Sequence, residues 1–157
     1  MTTFQLSGID PSPFEPLFAL DDAALRAHRA VRRIVDAEPG FPCRASLEDA
    51  RVGEEVLLLP FAHLQGATPY RASGPIFVRR GARRQLLAPG VVPPYVTRRL
   101  MSLRAYDAGD LMIDATVCEG TDAAAALGRL FEDPAVAFVH LHNAKRGCYS
   151  CRADRVA

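Results

Sequence analysis

Apolar residues along this chain recur mostly in short bursts with the two-residue period of a strand. The densest burst is AFVHLHN, where Val136, Phe138, His140 and His142 share one face and Ala137, Val139, Leu141 and Asn143 the other. Both faces begin apolar, which predicts a central strand. AKRG then supplies a turn, with Gly147 free to take positive φ, and CYSCRAD returns as the partner strand. A loop of Ala144 to Gly147 sets His142 opposite Tyr149 and His140 opposite Cys151, whereas a loop one residue longer at its start sets His142 opposite Cys148. Either register brings a thiol beside an imidazole.

The remaining pattern predicts the other elements. TFQLSGI reads as an opening strand, ended by the proline-rich PSPFEP. Leu20 with Asp21 or Asp22 makes a staple and N-cap for a helix over DAALRAHR, after which AVRRIVDA turns β-branched. EPGFPCRASLEDA is expected as a loop that delivers Cys43 and Arg44. GEEVLLLPFAH follows as a buried strand with His63 at its exit, then ATPYRASGP as an irregular loop leading into the strand IFVRR. Beyond APGVVPPYV, the stretch LMSLRAYDAGDLMIDATVCEG predicts a hairpin turning at Ala108-Gly109. In it Leu100, Ser102, Arg104 and Tyr106 face Val117, Ala115, Ile113 and Leu111. Thr121 is expected to cap a last helix whose stripe is Leu127, Leu130 and Phe131, stopped by Pro134. About seven or eight short strands and two main helices, mostly hairpin-linked, predict an α+β fold with an antiparallel or mixed sheet, as a single domain over residues 1–157.

Composition adds exclusions. With 49% hydrophobic and 24% charged residues, the 157-residue chain can bury a real core. No apolar run approaches the roughly 20 residues of a membrane span, and the start lacks a basic leader pattern, so the expectation is a cytoplasmic protein. Eighteen arginines stand against the single Lys145. The cluster of Arg79, Arg80, Arg83 and Arg84 has no interleaved aromatics and reads as a solvated loop, not a nucleic-acid surface. Cys43, Cys118, Cys148 and Cys151 are expected as reduced thiols. Cys148 and Cys151 in particular lie roughly 10 Å apart if extended, too far for a disulfide.

Candidate chemistry gathers around the two histidines. In the leading reading they open onto a pocket for a small anionic or polar ligand. His140 or His142 serves there as acid/base and Cys148 as nucleophile, while Arg71 and Arg104 anchor an anion and Tyr70, Ser73 and Asn143 supply polar contacts. Arg104 carries weight because it sits on an otherwise largely apolar strand face, where a buried charge needs a carboxylate or a ligand. No cofactor is expected. The alternatives are a non-catalytic interaction or scaffold protein, with self-association along a strand edge left open, and a zinc protein using His140, His142 and cysteines. Strand parity opposes the zinc reading, since Cys148 and Cys151 point to opposite faces unless the segment bends.

Four segments, PGFPCRASLEDA, PYRASGPIFVRR, SLRAYD and VHLHNAKRGCYSCRADR, in this order, resemble the bacterial family known as domain of unknown function 1203. The resemblance covers nearly the whole chain. Its signature residues fall on Cys43, Arg44, His63, Tyr70, Arg71, Arg104, Tyr106, His140, His142, Asn143, Cys148 and Tyr149, and it implies no activity, substrate or cofactor.

Overall fold

The computed structural model describes residues 3–157. Its strands are β1 (Thr3–Ser7), β2 (Val31–Ile34), β3 (Pro42–Cys43), β4 (Glu48–Asp49), β5 (Glu55–Leu64), β6 (Ala72–Arg79), β7 (Leu100–Tyr106), β8 (Met112–Glu119), β9 (Phe138–Asn143) and β10 (Tyr149–Val156). The helices are short: α1 (Asp22–Ala27), α2 (Pro94–Thr97) and α3 (Ala123–Leu130). The fold is α+β, as the pattern predicts, but the strands form two five-stranded sheets instead of one. Their orders are β1-β10-β9-β7-β8 and β2-β5-β6-β3-β4. Every pairing is antiparallel except a single parallel bridge, Cys43 to Phe77. β9 is the central strand of its sheet.

The two faces of that first sheet differ in chemistry. On one, Leu103, Ala105, Val139, Leu141, Cys151 and Ala153 pack beneath α3 and α2, against Ala126, Leu127, Leu130, Tyr95 and Val96. The expected stripe of Leu127, Leu130 and Phe131 is buried here. The second sheet builds its own core from Leu57, Leu59, Ile76 and Val78 with Phe18 and Leu25, and Tyr149 of the first sheet enters this cluster. At the other end Leu64, Tyr106 and Phe138 close the seam.

Several local expectations need correction. The segment after Gly40 is not a free loop, because β3 and β4 stitch it to the second sheet. Gly8 lets the chain cross it closely: a Cβ there would stand 2.0 Å from the Ala45 carbonyl oxygen, and Ile9 N–H donates to the Arg44 carbonyl at 3.0 Å. ATPYRASGP gives its second half to β6, which starts at Ala72. Asp21 is the N-cap of α1, accepting from Ala24 N–H at 2.8 Å. Thr121, by contrast, lies inside a short 3-10 turn, Gly120–Asp122, ahead of α3 and caps nothing.

The β7–β8 register differs from the expected one by two residues, pairing Arg104 with Ala115 and Ser102 with Val117. One residue comes from the turn. Asp107 Oδ1 accepts from Gly109 and Leu111 N–H at 2.8 and 3.0 Å, and Asp110 takes φ 61°, so the connection runs through Leu111. The other comes from an irregularity that leaves Ile113 unpaired between Met112 and Asp114. A slip of two preserves side-chain parity, so Arg104 keeps its face. In the β9–β10 hairpin, His142 pairs with Tyr149 as the shorter loop predicts, with Gly147 at φ 80°. A bulge at Ser150 then sets His140 opposite Arg152 instead of Cys151.

Candidate functional site

Cross-strand register assembles the site. Two rows run across β7, β9 and β10 on the face turned toward the second sheet: Arg104–His140–Arg152 and Ser102–His142–Tyr149. His63 approaches them from β5, its ring 5.9 Å from His140 and 5.0 Å from His142, while the latter two stand 6.5 Å apart. Tyr149 stacks flat on His63 at 5.4 Å and meets both other imidazoles edge-on. Tyr106 and Phe138 wall off His140 on its far side.

Burial dominates the electrostatics. His140 and His142 are 2% and 1% exposed. Burial pushes His140 down to about 3, helped by the neighbouring His63, Arg152, His142 and Arg104. Burial likewise brings His142 to about 4, against the opposing pull of its bond to Gly147. His63 is lowered by burial and then by Arg104. All three imidazoles are therefore neutral at pH 7. His142 Nδ1 lies 3.0 Å from the Gly147 carbonyl, which can only accept, so Nδ1 carries the proton and Nε2 the lone pair. That Nε2, with His140 Nδ1 and His63 Nδ1, is buried without a hydrogen-bond partner. Buried polar atoms in this state are uncommon in folded proteins.

A cavity of about 440 Å³ opens beside this cluster, lined by His63, His142, Arg104, Ser73, Cys148 and Tyr149 among others. Arg104 is half-buried. Its Nε donates to Ser102 Oγ at 3.3 Å, and among the described residues it forms no ion pair with a carboxylate. Of the two expected partners, a carboxylate or a ligand, the protein supplies no carboxylate, and Arg104 instead meets a hydroxyl and an open cavity. Arg44, only 2% exposed, forms the cavity's wall and is held by its backbone acceptors, the carbonyls of Tyr149 and Pro42 at 2.8 and 2.6 Å. Its third bond goes from Nη2 to Cys148 Sγ at 3.1 Å, and Asn143 Nδ2 reaches the same sulfur at 3.7 Å. The thiol's polar neighbours are thus a guanidinium and an amide, where sequence pairing had suggested an imidazole. Asn143 Oδ1 is left unpartnered.

Other expected residues are not brought to the cavity. Arg71 is exposed and donates to the Gln65 carbonyl at 2.8 Å, and Tyr70 rests edge-on against Tyr106. From that segment the lining takes Ser73 with Ala72, Gly74 and Pro75. His140 lies behind the lining. All four cysteines are free, and Cys151 is buried under the helices, on the face of Leu141. Of the cysteines only Cys148 lines the cavity with His63 and His142, and among the described residues no group of three or more His, Cys, Asp or Glu is placed to hold a metal ion.

Two residues of the site, His63 and Arg44, stand outside the pocket expected from the sequence, although their neighbours place both in the core. Leu57, Leu59, Phe61 and His63 are two apart, a spacing that puts His63 on the core face of its strand. Arg44 lies between Cys43 and Ala45, two small residues that are fully buried, as a packed loop would require. Arg146 of the turn also lines the cavity.

Among the described residues no helix is long and apolar enough to cross a membrane. No curated protein and no solved structure matches the chain. The profile of the family described as protein of unknown function, DUF1203, matches residues 40–155, a span holding the three histidines, Arg44, Arg104 and Cys148, and the chain belongs to that family.

Proposed function

We propose that the protein binds a small anionic or polar ligand in the cavity between its two sheets. Arg104 serves as the anion anchor, His142 Nε2 as the acceptor for a ligand donor, and Ser73 as a polar contact at the mouth. The observation that carries this reading is the meeting, in one cavity, of a half-buried guanidinium without a carboxylate and a buried imidazole nitrogen without a partner. Leaving both unsatisfied costs stability, which a ligand with acceptor and donor groups recovers.

The same geometry ranks the possible roles. A base that titrates near 4 takes up a proton poorly at pH 7, far from the matched value acid/base catalysis favours, so His142 suits recognition better than proton abstraction. Cys148 is the nucleophile available for thiol chemistry, with its sulfur facing two N–H donors. The competing scaffold reading makes the cluster a passive part of the core.

Imidazole nitrogen NMR during titration with inorganic phosphate and with citrate separates the two. Saturable movement of the His142 Nε2 signal is expected with at least one anion, weakened roughly tenfold in Arg104→Ala, the loss of one charge-assisted hydrogen bond. Signals that stay fixed with both anions at millimolar concentration favour the scaffold.

A further inference from the structure

Behind the wall formed by Arg44 and Cys148 lies a larger recess of about 680 Å³, within the size range of small-molecule sites. It shares Arg44, Leu58, Phe77, Arg146 and Cys148 with the histidine cavity, so the two form one continuous trough. The floor is apolar. Phe41 and Phe77 lie with ring centroids 5.1 Å apart and planes tilted by 54°, flanked by Leu58 and Pro42. The rim is cationic: Arg33 comes from β2, Arg98 from the end of α2, and Lys145 and Arg146 from the β9–β10 turn.

No carboxylate lines this recess. Asp49, from β4, takes Arg99 at 2.5 Å and Arg98 at 3.4 Å, which leaves Arg33, Lys145 and Arg146 without an ion pair among the described residues. Cations from separate elements repel one another when the fold gathers them, and an anion relieves that repulsion. The floor narrows the choice of anion. Inorganic phosphate would meet the rim but leave the aromatic floor wet, and a neutral hydrophobe would cover the floor but leave the cations facing each other. Only a molecule with both parts answers both surfaces, and the half-buried rings of Phe41 and Phe77 favour a ring over an alkyl chain.

The geometry points to a second binding site in this recess, for an aromatic phosphate ester whose ring lies on Phe41 and Phe77 and whose phosphate meets Arg33, Lys145 and Arg146. This site goes beyond the histidine cavity: Phe77 and Arg146 line both, whereas Arg33, Phe41 and Lys145 line the recess and not that cavity.

Calorimetry with 1-naphthyl phosphate, inorganic phosphate and 1-naphthol tests it on the full chain. Naphthyl phosphate is expected to bind at least tenfold more tightly than either of the other two. In the double variant Arg33→Ala/Lys145→Ala, whose two side chains are exposed and outside any ion pair, its affinity is expected to fall at least tenfold. In Arg104→Ala and His142→Ala it is expected to stay within twofold. Equal affinity for naphthyl phosphate and inorganic phosphate, or an unchanged affinity in the double variant, overturns the site. A loss in His142→Ala matching that in the double variant places the probe in the histidine cavity. That too overturns this inference, while leaving the function proposed for the cavity standing.

Discussion

The two faces of β9 carry neighbouring residues into opposite physical situations. Val139 and Leu141 face the helices in a layer where each side chain is apolar and closely covered. His140 and His142, one residue away on either side of Leu141, are buried to the same degree, yet two of their ring nitrogens find no partner. Burial stabilises the first face through the hydrophobic effect and costs the second its hydration. A strand that needed only to fold would have apolar residues on both sides. The proposed function thus rests on the histidine face, while the helix face carries the apolar burial that stabilises the strand.

The largest expected effect tests that division directly. Leu141→Ala should lose about 2–5 kcal/mol, the usual cost of a cavity in a covered core. His140→Phe should stay within about 1 kcal/mol of the parent or exceed it, because it removes an unpartnered nitrogen while keeping a ring among Tyr106, Phe138 and Tyr149. Urea unfolding of both variants makes the comparison. A His140→Phe loss as large as that of Leu141→Ala would show the histidine face to be structural.

The next effect is in pH. Both histidines titrate near 6.5 when unfolded and near 3 and 4 when folded, so between those values the unfolded chain binds protons that the fold excludes. Their depressed values thus leave stability at its plateau above pH 6.5, and it is lost as pH falls from there toward 4. The expected slope is about 1 kcal/mol per pH unit for each histidine. The double variant His140→Phe/His142→Phe should flatten the stability curve between about pH 6 and 4.5. An unchanged slope would mean the rings accept protons within the fold.

The smallest effect separates two arginines that share the role of anion anchor in the sequence reading. Arg71→Ala should alter stability by no more than about 0.5 kcal/mol, as for an ordinary surface site, and leave the anion titration of His142 unchanged. An Arg71→Ala variant that weakened this titration as Arg104→Ala does would bring the Arg71 side chain back to the cavity mouth.

Much of this arrangement was readable. Period-two spacing placed His140 and His142 on one face of a central strand, and the same spacing would have placed His63 with Leu57 and Leu59. Parity also predicted that Cys148 and Cys151 would not both join the histidines, and only Cys148 lines their cavity. What failed were distances across the sheet. A turn one residue longer and an unpaired Ile113 moved the β7–β8 register by two, and the bulge at Ser150 exchanged Cys151 for Arg152 beside His140. Such irregularities depend on local turn geometry and on the packing of neighbouring strands, and alternation of side chains does not encode them.

The sequence by itself determined the α+β class, the central position of AFVHLHN and the shared face of its histidines, because these follow from local periodicity and turn chemistry. Only the tertiary structure decided that the strands divide into two sheets, that Arg44 reaches Cys148 across 104 positions of chain, and that Ser73 rather than Arg71 lines the cavity of His142. These are long-range pairings, selected by which apolar faces cover one another once the whole chain has collapsed, and no short window of residues contains that choice.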